Sequence, residues 1–126
     1  MIVTKKSGYP ELIKNQGGER IQEVLGVQAG GVYSHSIAEI TIPSGGSALP
    51  HFHRETEETY LILAGVAAMQ INGKRFELEA GEAVLIEPKE VHQITNNGEE
   101  NLLFLAVCVP AWQPGDSFEA RPSELG

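Results

Sequence analysis

GGSALPHFHRETEETYLILAG, residues 45–65, is the stretch on which the fold turns. His51 and His53 stand two apart, and on a β-strand alternate side chains share a face. Their Cα atoms then lie about 6 to 7 Å apart, so both imidazoles can converge on one ion. Imidazole favours zinc, copper, iron or nickel over calcium or magnesium. Glu57 and Glu58 follow, ahead of an apolar run that stops at Gly65. Either carboxylate can supply an oxygen from the next strand. After two further hairpins comes His92, in a strand of its own. Three histidines and one carboxylate make a mixed nitrogen and oxygen set suited to a transition metal.

Outward from this stretch the chain reads as β. Residues 32–42 carry β-branched side chains and end at Pro43-Ser44-Gly45-Gly46, a turn cluster. Residues 66–71 run into Asn72-Gly73, a strong two-residue hairpin signal. Residues 75–78, 83–86, 91–95 and 102–109 are further short runs, bounded by Ala80-Gly81, Pro88, Asn96-Asn97-Gly98 and Pro110. Such regular spacing predicts an all-β sandwich or barrel, and nothing between residues 32 and 109 has a helical period. Residues 1–30 read as irregular. Within them, residues 20–27 fit either a short strand or one helical turn. After Pro110 a polar tail carries Trp112 and Phe118, both expected on the outside of the barrel.

At this point the sequence resembles the cupin superfamily. Gly45, five residues, His51-Phe52-His53, four residues, Glu58, six residues and Gly65 fit the first cupin motif. Gly81, His92 and Asn96 hold the spacing of the second. Glu87 and Lys89 stand where that motif expects proline and glycine, which leaves the histidine in register but alters the turn before it. The two motifs cover about a third of the chain, and the strands between them extend the match to most of residues 35–109. The resemblance implies a jelly-roll barrel, a double-stranded β-helix, with one divalent transition-metal ion held by His51, His53, Glu58 and His92. The ion is iron, manganese, nickel, cobalt, copper or zinc, and the sequence does not select among them. Spacing to Gly65 and the resemblance favour Glu58 over Glu57, and parity then turns Glu57 outward. His35 matches no motif position and reads as structural.

Length and composition bound the rest. The 126 residues suit one domain, with the barrel core over about residues 32–109. Seventeen acidic against nine basic residues give a formal charge of −8, which disfavours nucleic acid and anionic membrane surfaces as partners. Four of the basic residues, Lys5, Lys6, Lys14 and Arg20, are too spread for a nucleic-acid arm. Cys108 is the single cysteine, so no intrachain disulfide forms, and it reads as a small hydrophobe in an apolar run. No signal peptide or membrane-length apolar run is visible, and a cytoplasmic location is expected.

Parity also orients the interior. With Glu58 inside, Tyr60 and Ile62 face inward too, and Tyr60 can offer a hydroxyl to a substrate. Ala67, Met69 and Ile71 form the inward set on the next strand, and Ile94 joins His92. The expected pocket is apolar beyond the metal, with no inward cluster of Arg or Lys; Arg54 and Lys89 read as surface charges. Tyr60 and Glu58 are the expected catalytic proton carriers. The leading expectation is a metal-dependent enzyme of dioxygenase, isomerase or decarboxylase type, acting on a small oxygenated molecule. The alternative is a non-catalytic module that binds a sugar or acid through the metal. A homodimer is expected, since similar small cupins pair N-terminal strands across subunits. A monomer mass in light scattering would overturn that.

Overall fold

The computed structural model describes residues 1–14 and 17–126, and for residues 13 and 14 the backbone alone. Among the described residues there are eleven strands: β1 (Glu11–Lys14), β2 (Arg20–Leu25), β3 (Ser36–Ile42), β4 (His51–His53), β5 (Glu57–Ala64), β6 (Ala67–Ile71), β7 (Lys74–Leu78), β8 (Ala83–Ile86), β9 (His92–Thr95), β10 (Leu102–Val109) and β11 (Ser117–Glu119). They form two antiparallel sheets, one in the order β1-β2-β3-β10-β5-β8 and the other β11-β4-β9-β6-β7. Short 3-10 turns occur near both termini, and no α-helix does among the described residues.

The core lies between the sheets and follows strand alternation. On β5 the pattern buries Glu58, Tyr60 and Ile62 and exposes Glu57; on β6 it buries Ala67, Met69 and Ile71. Ile42, Ile62, Ile86, Ile94, Leu102 and Phe104 are almost wholly buried. Each such side chain contributes about 1.5–3 kcal/mol by leaving water. The β6–β7 turn is the predicted one. Asn72 and Gly73 both have positive φ, 46° and 78°, which a tight hairpin needs and which Asn and Gly tolerate.

Three expectations change at the edges of this core. The N-terminal segment is not irregular throughout: β1 pairs with β2, and β2 with β3 of the same chain. β3 starts at Ser36 rather than at residue 32. The chain before it is a loop tied by Val32 N–H to Gly26 O and by Ala111 N–H to Tyr33 O. In the tail, β11 pairs with β4, where Phe118 stacks on Phe52 with ring centroids 5.3 Å apart and Arg54 covers Phe118. Trp112 lies not outside but against the interior cavity, its N–H given to Ser36 Oγ.

One join in the smaller sheet is narrow. β4 and β9 meet through a single residue pair, His51 opposite His92, with the bridge Ser47–Thr95 as the nearest support.

Candidate metal centre

β4 presents His51 and His53, β5 presents Glu58 and β9 presents His92. One ligand atom from each lies within 4.8 Å of all the others. His53, Glu58 and His92 are buried, and His51 is partly so. The four side chains singled out by spacing are therefore brought together. His35 is not among them; it bonds Ser34 at the surface.

Each imidazole is anchored by one nitrogen. Nδ1 of His51 lies 2.8 Å from Leu49 O, Nδ1 of His92 lies 2.9 Å from Glu90 O, and Nδ1 of His53 lies 3.1 Å from Asp116 O. A carbonyl can only accept, so Nδ1 carries the proton and Nε2 keeps its lone pair. Nε2 of His53 and of His92 each lie 3.4 Å from Glu58 Oε1, beyond a well-formed hydrogen bond. All three atoms are buried without a hydrogen-bond partner. Orphaned buried polar atoms are costly, and lone pairs converging with a carboxylate fit a cation.

The electrostatics agree with that fit. Burial pushes the Glu58 carboxyl up, but the two imidazoles facing it outweigh burial and hold it well below the usual carboxylate range. Burial, with the His92 ring close by, lowers His51 to about 4, so its imidazole is neutral at pH 7. Burial opposes protonation of His53 as well, yet Glu58 outweighs it and raises that pKa. Tyr60 lines the cavity, its ring 6.0 Å from His92. Burial first and the Glu58 charge second push its hydroxyl well up, so it keeps its proton.

Sequence reasoning missed the supporting contacts of several groups, two of which, Asn96 and Lys89, enter it as motif positions. Cys108 stands opposite Glu58 in the β10–β5 register, and its Sγ donates to Glu58 Oε2 at 3.3 Å. Burial and then Glu58 push the thiol pKa up, so the group is an inert donor. The Asp116 carboxylate accepts the N–H groups of Arg54, Glu55 and Thr56 and so fixes the loop between the ligand strands. Asn96 is fully buried and ties Ile42 O and Glu100 O. Lys89 takes the positive φ, 71°, of the expected glycine, and its N–H bonds His53 O.

The ligand cluster opens on a cavity of about 330 Å³. Ala38, Ile40, Phe104 and Ala106 form apolar walls, as expected, and no Lys or Arg side chain lines it among the described residues. It is less apolar than expected: Glu119 of β11 lines it, and so do Glu23 of β2 and Glu19 just before that strand. The placement of the last two depends on β2 joining the sheet, which the sequence left open.

Comparison with known proteins agrees with this architecture. The profile of the cupin domain matches residues 38–108. An uncharacterized protein of Methanocaldococcus jannaschii is 33% identical over 100 residues, 79% of this chain and 80% of that one. An oxalate-binding protein of Thermotoga maritima is 31% identical over 113 residues, 86% of this chain and 93% of that one. The structure of the polyketide cyclase RemF from Streptomyces resistomycificus superposes with a TM-score of 0.77 at 21% identity, covering 96% of this chain and 86% of that one. At that identity the likeness is one of fold.

Proposed function

This chain belongs to the cupin domain family, and from that premise we propose that it is a metal-dependent enzyme acting on a small oxygenated molecule. The reaction is of dioxygenase, isomerase or decarboxylase type. His51, His53, Glu58 and His92 are the proposed ligands of one divalent transition-metal ion. The observation that carries this reading is the set of buried, partnerless atoms, Nε2 of His53 and His92 and Oε1 of Glu58, facing one another beside a cavity. The bound ion supplies a Lewis acid that polarises a substrate oxygen.

The chain's own residues do the rest. Leu49 O, Glu90 O and Asp116 O fix the three imidazoles in the tautomer that frees Nε2. Glu58, held ionised, serves as a ligand rather than as a proton donor. Tyr60 holds its proton and acts as a hydrogen-bond donor at the edge of the site. Ile94 and Phe104 add apolar wall to the cavity onto which the cluster opens. We place the whole of residues 1–126 in one domain and the protein in the cytoplasm. No helix among the described residues is long and apolar enough to cross a membrane. The working form is a homodimer. Leu63, Leu85 and Val109, 44%, 52% and 46% exposed, give the outer face of the larger sheet an apolar patch that a second copy would cover.

A second reading, a non-catalytic module that binds a sugar or acid through the metal, draws on the name of the Thermotoga oxalate-binding relative. Recovery of the ligand unchanged after prolonged incubation would favour it.

Metal analysis by mass spectrometry tests the site. Untagged wild type should carry about one transition-metal ion per chain, and a folded His51→Ala/His53→Ala variant should carry essentially none. Wild type that stays metal-free after incubation with each candidate ion would overturn the assignment.

A further inference from the structure

The cavity has a second polar end that the metal ligands leave unused. Glu19, Ile21 and Glu23 face it from β2 and the residue before it. Glu23 is 1% exposed. Its Oε1 accepts the N–H of Gln28 at 2.9 Å and of Ala29 at 3.0 Å, from the loop that folds back over it. A Cβ at Gly26 would run into this carboxylate, so glycine there makes room for it. Oε2 is buried with no hydrogen-bond partner. A buried carboxylate oxygen left without a donor is costly, and a cavity-lining one is satisfied when a ligand brings the donor.

The strand register places this end relative to the metal end. Glu23 stands opposite Ala38, Ala38 opposite Ala106, and Ala106 opposite Tyr60. All four are buried on the inner face. Two alanines thus form the floor between Glu23 and Tyr60, and three strand spacings separate the two Cα atoms by about 14 Å. Small side chains there leave space for a molecule to lie along the row.

Resting on the metal reading above, we infer that Glu23 is a specificity-determining residue whose Oε2 accepts a hydrogen bond from a substrate hydroxyl. The substrate class is an uncharged hydroxylated molecule with a metal-binding oxygen at one end and a hydroxyl several ångströms away. A dicarboxylate is disfavoured. Its second carboxylate would face the buried Glu23 carboxylate in a cavity that no described Lys or Arg side chain lines.

Kojic acid and allomaltol test this, being one hydroxypyranone chelator with and without a distal hydroxyl. Wild type and Glu23→Gln would be loaded with Mn(II), their metal content measured, and each titrated calorimetrically with both compounds and with oxalate. In Glu23→Gln the loop N–H groups hold the amide oxygen, which leaves an NH2 donor in place of Oε2. Wild type should bind kojic acid about tenfold more tightly than allomaltol, and in Glu23→Gln, where the hydroxyl can only accept from a neutral NH2, that preference should shrink severalfold. Oxalate should bind Glu23→Gln about tenfold more tightly than wild type, because a like charge is gone. Equal metal content with the same kojic acid to allomaltol ratio in both proteins would overturn this inference alone. No Mn(II) in either protein would overturn the metal reading and this inference with it. Should Glu23→Gln fail to fold, equal binding of the two pyranones by wild type decides against the inference.

Discussion

At the histidine end of the cavity, each imidazole gives one nitrogen to a backbone carbonyl and keeps the other for the interior. At the glutamate end, one carboxylate oxygen takes two backbone N–H groups and the other is left over. Both ends use the backbone to fix a polar side chain while holding one atom back. They differ in what the held-back atoms ask for. Three lone pairs and a carboxylate converging within 4.8 Å ask for a cation. A buried carboxylate oxygen on Glu23 with no donor of its own asks for a neutral donor. One cavity can therefore hold a metal at one end and read a substrate at the other, provided the two anchoring systems are independent.

That independence can be broken from either side. The largest effect is expected from Gly26→Ala. The added methyl meets the Glu23 carboxylate and Ser36 Cβ, and the carboxylate must leave its two N–H donors. Urea unfolding should show a loss of about 2 kcal/mol. Metal content should stay at the wild-type level; a parallel loss of metal would mean that the two ends share one support. Next is Asp116→Ala, which frees the N–H groups of Arg54, Glu55 and Thr56 and loosens the carbonyl that holds His53. Stability should fall by about 1 kcal/mol. Metal affinity, measured by chelator competition, should fall about tenfold, while the preference among pyranones stays put. The smallest effect belongs to Lys89→Gly. Lys89 carries a left-handed φ at some cost, partly offset by the chain entropy that glycine loses on folding. A gain of about 0.5 kcal/mol in the same unfolding assay is expected, and a loss would show that the lysine side chain matters to the turn.

The two ends also differed in how far the sequence revealed them. The histidine end lies on strands whose residues alternate and whose turns are marked by Pro, Gly and Asn; once spacing to Gly65 and the family resemblance favoured Glu58 over Glu57, parity oriented Tyr60 with Glu58 and Ile94 with His92. The bounds of β8 and β10 were legible to the residue for the same reason. β2 was not, because Glu23 shares its inward side with Ile21, with Glu19 just ahead of the strand, and charged inward residues erase the alternation that signals a strand. The Cys108 bond to Glu58 depends on the register of β10 against β5, which no local pattern encodes. β11 hides in a polar tail because it covers the edge of β4 and turns Ser117 and Glu119, both polar, to the cavity, so no apolar alternation marks it. The moved Trp112 follows from that same return of the chain across β4.

The thin join between β4 and β9 has a consequence for assembly. His51 and His92 are each other's only ladder partners there, yet they come from the two separate motifs. Whatever draws those rings together also ties off the whole length of chain between them. With Cys108 the single cysteine, covalent bridging of that kind is closed to this protein. A metal ion would act in its place as a reversible rivet through the weakest seam. Unlike a crosslink it would stabilise by binding the folded chain in preference to the unfolded one, and it would come undone with acid or a chelator rather than a reductant.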